Sequence, residues 1–185
     1  LYGVDIMNEA VEIAKLRLFL KLVATVDADY RKPNLGLEPL PDVDFNIRAG
    51  NTLVGYATEV QLKDAFVSQF DFDNDTEKIK EKCDIVGRAF TRYKEIQLQG
   101  NADFEDFKRA KDDLTERLDK LRHELDVLQH KQHYSNVKYD KWLATHQPFH
   151  WFAEFYEIVS GQGGFDVVIG NPPYVEKKDI MTYQV

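Results

Sequence analysis

Apolar positions recur along this chain in three rhythms. Near the start, Leu1-Tyr-Gly-Val-Asp-Ile6 reads as a short strand that ends in a carboxylate. A helix then runs from Asn8 to about Val23, with Asn8 as its N-cap and Glu9 and Glu12 favourably placed in its first turn. Ala10, Ile13, Ala14, Leu16, Leu18, Leu20 and Leu22 make that helix apolar over a broad face, which predicts packing on a sheet. Residues 24–43, with Pro33, Pro39 and Pro41, read as an irregular connection. Asp44-Phe-Asn-Ile-Arg48 alternates as a strand does and runs into Ala49-Gly50-Asn51-Thr52-Leu53. Far along the chain, Val167, Val168 and Ile169 form a continuous β-branched run, as in a parallel strand covered on both faces.

The middle of the chain has helical spacing. From about Asp75 to Leu98, apolar residues stand at Ile79, Cys83, Val86, Phe90, Tyr93 and Ile96. Gly100-Asn101 marks a turn. A second helix is expected from about Ala102 to His133, carrying Phe104, Phe107, Leu114, Leu118, Leu121, Leu125 and Leu128. From Leu114 its steps of four and three follow a heptad seam. Two such helices joined by a short turn predict an antiparallel, coiled-coil-like hairpin whose second arm is about 45 Å long. After it, Gln147-Pro-Phe-His-Trp-Phe-Ala-Glu-Phe-Tyr-Glu-Ile158 is dense in aromatics, and Pro148 suits a helix start, so the segment is expected to dock onto the core. Gly161-Gln-Gly-Gly164 reads as a linker.

Composition changes this picture little. Hydrophobic residues are 43% and charged residues 30% of 185, which is ordinary for a globular protein. There is no apolar run of membrane-spanning length and no secretory signal pattern, so a soluble, cytoplasmic protein with no membrane partner is expected. The lone Cys83 excludes an internal disulfide and reads as a packing residue. His123, His130, His133, His146 and His150 lack the cysteines or matched carboxylates of a metal set, so no metal is expected.

The chemistry lies after the β-branched run, in Gly170-Asn-Pro-Pro-Tyr174. Gly170 permits a close approach of backbone or ligand, and Pro172 and Pro173 stiffen the loop. A polar cluster at the carboxyl end of a parallel strand sits where open α/β sheets bind ligands. The segment resembles the Asn-Pro-Pro-Tyr signature of adenine-N6 DNA methyltransferases, particularly the methylase part of type IIG restriction-modification enzymes. That resemblance implies S-adenosylmethionine as cofactor and duplex DNA with a flipped adenine as partner. It implies that the Asn171 side-chain oxygen and the Pro172 carbonyl orient the adenine amine. Tyr174 would stack on the flipped base, with Pro173, Lys177 and Lys178 touching substrate. The resemblance also extends to the N-terminal half. There Asp5 would bind the ribose hydroxyls of the cofactor, Ile6 would pack on its adenine ring, and Asn51 would contact that ring's polar edge. The order Asp5, Gly50-Asn51, Asn171 agrees with the family.

The fold implied is a partial Rossmann-like α/β methyltransferase sheet interrupted by the helical hairpin. Residues 1–56 and 148–185 would form the core and 57–147 the insertion. The family's glycine-rich cofactor loop precedes the strand ending at Asp5 and has no counterpart in these 185 residues. The chain therefore reads as part of a larger prokaryotic enzyme, inactive by itself, with the remaining domains of its parent as partners. A net charge of −8 is unusual for a DNA-binding surface, which would be local or elsewhere in the parent. Two other readings stay open. One is methylation of a protein glutamine or an RNA amino group. The other is an inactive module whose hairpin mediates protein contacts.

Overall fold

The computed structural model describes residues 1–32, 35, 42–67, 74–98 and 103–171. Its first strand, β1 (Gly3–Asp5), and second strand, β2 (Ile47–Ala49), pair in parallel with Asp5 opposite Ala49. Between them runs α1 (Asn8–Val23), with the bounds that hydrophobic spacing predicts. Met7, not Asn8, holds the extended N-cap conformation. Asp5 Oδ1 accepts the Met7 N–H at 2.8 Å, an Asx turn that leads the strand into the helix. The expected strand at 44–48 starts three residues late. Asp42 accepts the Asp44 N–H at 2.8 Å, and Asn46 and Ile47 both donate to Val43, which turns the chain before it can pair.

The broad apolar face expected for α1 is only partly used. Val11 is buried and Ala10, Ala14, Leu18 and Leu22 are half-buried, while Ile13, Leu16, Phe19, Leu20 and Val23 remain exposed. Two short strands are too narrow to cover more than one stripe of a 16-residue helix.

After β2 come α2 (Glu59–Val67), α3 (Asn74–Leu98) and α4 (Phe104–His133). The expected turn at Gly100-Asn101 lies outside the described residues. Lys82 opposes Glu124 while Tyr93 meets Phe107 at a ring separation of 5.4 Å, so α3 and α4 run antiparallel. The heptad seam is buried as its spacing predicts, through Leu114, Leu118, Leu121, Leu125 and Leu128. Asp103 caps α4 by accepting the Glu105 N–H at 3.2 Å. The pair packs on its own chain: Phe45, Tyr56, Leu62, Phe152 and Ala153 share one core with its seam. Cys83 lies in that core, where burial pushes its thiol up to about 12, so packing is its role.

Two short helices follow the hairpin, of which the first, like α2 before it, has no counterpart in the sequence pattern. α5 (Tyr139–His146) folds back on α4 and seals Trp142 completely, ending at Gln147 in a left-handed conformation. α6 (Trp151–Glu154) begins three residues after Pro148 and buries Phe152 and Ala153. The aromatic segment thus docks onto the core as expected. Phe149 N–H donates to Val54 O at 2.7 Å and Phe152 N–H to Tyr56 O at 3.1 Å.

Gly55 makes this docking possible. Its φ is +128°, and a Cβ there would meet the Phe149 carbonyl carbon at 2.7 Å. Gly55→Ala is therefore expected to cost about 2–4 kcal/mol, from backbone strain and overpacking together. Thermal unfolding followed by circular dichroism should show a midpoint lowered by roughly 5–15 °C. An unchanged midpoint would refute the close approach.

The β-branched run is a correction. Val167, Val168 and Ile169 form no strand and are 73%, 75% and 92% exposed. A strand needs a hydrogen-bonding neighbour, and among the described residues β1 pairs with β2 alone. The sheet is thus two-stranded rather than the larger Rossmann-like fragment that the run would have extended. Among the described residues, no helix is long and apolar enough to cross a membrane, and no group of His, Cys, Asp and Glu could hold a metal ion.

Candidate active site

The carboxyl ends of β1 and β2 lie side by side. Asp5 O accepts the Gly50 N–H at 2.9 Å, which brings the turn after β2 beside the turn after β1. Asp5 is exposed. Its Oδ1 is committed to Met7, and its Oδ2 has no partner among the described residues. That free oxygen can accept from hydroxyl groups. Ile6 follows, 50% exposed, an apolar side chain at the rim of the same edge.

Asn51 is held from three sides. Its N–H donates to Gln147 O at 2.7 Å, its carbonyl accepts from Val54, and its Oδ1 accepts the Leu53 N–H at 3.1 Å. A parallel bridge joins Asn51 to Pro148. The side-chain oxygen retains one lone pair, and Nδ2 has no partner among the described residues. Asn51 therefore offers a fixed amide beside Asp5, with its oxygen already half used.

Behind this edge sits a cluster that sequence reasoning missed. Glu154, buried on α6, accepts from Arg48 on β2 and from Arg122 on α4, the Arg122 Nη2 contact being 2.9 Å. Arg122 also donates to Asp119 at 2.7 Å, and Arg48 donates to Phe45 O at 3.0 Å. Burial alone would raise the Glu154 carboxyl, but Arg48 and Arg122 outweigh it and hold it below the usual carboxylate range. The ions tie the strand, the hairpin and the aromatic segment at one point. A cleft of ≈ 370 Å³ opens next to them, between α1, β2 and α4. The signal was present, as one carboxylate inside an aromatic run and one arginine inside a strand. Neither residue announces its partner, because the three are far apart in sequence.

A second buried pair fixes the return of the chain. His150 Nδ1 accepts the Tyr56 N–H at 3.0 Å, so the proton sits on Nε2, which donates to Asp126 Oδ1 at 3.1 Å. The imidazole spans backbone and carboxylate as a structural bridge.

Asn171 stands apart. Phe165 packs on Tyr2, Trp151 and Phe155, and beyond it residues 166–171 make no hydrogen bond or ion pair with the other described residues. Asn171 is exposed, and no atom of the described residues lies within 4 Å of a Cβ built on Gly170. Pro172, Pro173, Tyr174, Lys177 and Lys178 lie outside the described residues. The structure brings Asp5, Ile6 and Asn51 to one edge and does not bring Asn171 to them.

Comparison with known proteins identifies a family. A family profile described as Eco57I restriction-modification methylase matches residues 1–184. A protein of Methanocaldococcus jannaschii, provisionally named a type II restriction enzyme and methyltransferase, is 30% identical over 225 residues. The match covers 94% of this chain and 18% of that relative. No solved structure matches the chain.

Proposed function

The chain belongs to the Eco57I restriction-modification methylase family, and from that membership we propose that it carries part of the active site of an adenine-N6 DNA methyltransferase. The observation that carries the reading is the adjacency of Asp5 and Asn51 at the carboxyl ends of two parallel strands, where α/β folds bind cofactors. The chain spans about 18% of the length of the curated relative it matches, so the complete reaction is assigned to a longer enzyme.

S-adenosylmethionine, when bound, supplies a methyl group on a sulfonium, already a good leaving group. The residues present fit its nucleoside. An exposed carboxylate with one uncommitted oxygen suits ribose hydroxyls, Ile6 suits the face of a purine, and Asn51 suits its polar edge. On the substrate side, an exocyclic adenine amine is a poor nucleophile because its lone pair is delocalised into the ring. The Asn171 side-chain oxygen and the Pro172 carbonyl accept hydrogen bonds from its two N–H groups and favour a pyramidal nitrogen, and one of those protons passes to solvent after the nitrogen takes the methyl group. Tyr174 stacks on the flipped base, and Pro173, Lys177 and Lys178 line its approach.

Two measurements test this. The longer enzyme, incubated with methyl-labelled cofactor and duplex DNA, should place the label in N6-methyladenine on nucleoside analysis. Label found only in protein or RNA, or nowhere, overturns the substrate assignment. In the same enzyme, Asp5→Ala should weaken cofactor binding by about 10- to 100-fold, the loss of one or two charge-assisted hydrogen bonds. Calorimetry reads this directly. Unchanged affinity would remove Asp5 from the site.

A further inference from the structure

Many basic residues of the hairpin arms stand against an acid. Lys82 faces Glu124, Lys94 faces Glu157, Arg117 faces Asp113 and Lys120 faces Glu116. Lys111 and Arg122 are likewise matched, to Asp42 and to Glu154. The end formed by the last turn of α4 and by α5 carries a local excess of base. Residues 127–147 hold three lysines, Lys131, Lys138 and Lys141, against one carboxylate, Asp140, in a chain of net charge −8. All three lysines are exposed, and none pairs with an acid among the described residues. Neighbouring carboxylates are engaged elsewhere: Asp126 faces His150 and Glu124 faces Lys82. On α2, which packs against this end through the Gln132 donation to Ala65 O, Asp64 is the exposed acid.

The surface is rigid and connected. Tyr139 and His130 pack on the buried Trp142 with ring centroids 5.9 Å and 5.4 Å away. Lys138 and Lys141 stand three residues apart at the start of α5, on one face of the helix. The other end of α5 is tied to the candidate active site, since Gln147 O accepts the Asn51 N–H and Pro148 bridges to Asn51. Lys138 stands at the start of α5, and the eight residues of that helix, about 12 Å, lead from it to the tie.

We propose that Lys131, Lys138 and Lys141 form a contact for the phosphate backbone of duplex DNA beside the active site. The inference rests on the DNA reading above and adds the surface that meets the substrate. Lysine ammoniums are point charges without arginine's fork, which suits contacts that position a duplex without reading its bases. The acidic remainder of the chain repels the duplex from other approaches and so makes this surface orienting.

The test is fluorescence anisotropy of a labelled duplex with this chain, unchanged and as Lys131→Glu/Lys138→Glu/Lys141→Glu, over a range of salt. These exposed substitutions should leave circular dichroism and melting unchanged. The triple variant should bind at least about tenfold more weakly at low salt. Its plot of log affinity against log salt should be shallower by about 2–3, as three lost phosphate contacts require. A milder set to glutamine should show the same slope change. The proposal is overturned if the unchanged chain does not bind the duplex, or if variant and original share one slope. It is also overturned if polyglutamate competes as well as DNA when it is titrated against the chain's own fluorescence, which would make the partner an acidic peptide. Absence of N6-methyladenine from the longer enzyme, with the slope change intact, would sink the methylation reading and leave the DNA contact standing.

Discussion

Replacing Asn171 with alanine in the enzyme that carries this chain is expected to slow methyl transfer by about 100-fold or more at saturating substrate, as loss of a preorganised polar group does elsewhere. Cofactor affinity should stay within a factor of about two, because no removed atom belongs to the cofactor edge. The separation follows from the site's division. Asp5 and Asn51 sit on the β1–β2 edge, held by the Gly50 and Gln147 backbone bonds. Asn171 follows Phe165, past the last ring contact with the core among the described residues. The side-chain oxygen acts on the amine only while the methyl group is being transferred, so its loss falls on kcat. Single-turnover kinetics with labelled cofactor, beside calorimetry of the same variant, reads both quantities. Methylation within a few-fold of the original would refute the role of Asn171. A matching loss of cofactor binding would move Asn171 to the other side of the site.

The largest effect on stability is expected at Glu154. Glu154→Ala leaves Arg48 buried without its counter-ion and Arg122 with Asp119 alone, and should cost about 3–5 kcal/mol. Glu154→Gln keeps the shape and loses the charge, so it should fall only slightly short of that. The effect has a definite pH dependence. Because the carboxyl titrates lower folded than unfolded, the folded state binds fewer protons through this group. Its contribution is complete above the ordinary glutamate range and is lost as pH falls through the depressed folded value. Urea unfolding at neutral pH should therefore separate the original from Glu154→Gln widely, and the gap should narrow progressively in acid. A gap independent of pH would show that packing, not charge, holds the cluster.

What was legible in the sequence followed from periodicity. The α1 bounds, the two hairpin arms and the leucine seam all come from spacings of three and four, which local geometry alone dictates. The order Asp5, then Gly50-Asn51, also survives as a shared edge, because a parallel pair puts both strand ends on one side. Three features were not legible, each for its own reason. Val167–Ile169 has the composition of a buried strand, but pairing depends on a neighbour, and composition does not supply one. The Arg48–Glu154–Arg122 cluster joins residues far apart in the chain, and charged residues read singly default to the surface. The short α5 is too brief for a periodic signal and is recognised only by the tryptophan it covers.

The docking of Phe149 against Gly50 and Gly55 has a consequence for how such a chain tolerates change. The insertion leaves the core after Tyr56 and returns at Pro148, and its two ends are hydrogen-bonded to each other through His150 and Phe152. The arm is also held along its length, by Lys111 on Asp42 and Asp44 and by Phe90 and Tyr93 on Phe45, in the segment that leads into β2. A change in its length is therefore transmitted to β2 unless it falls beyond these contacts, and the two glycines must stay small whatever the length.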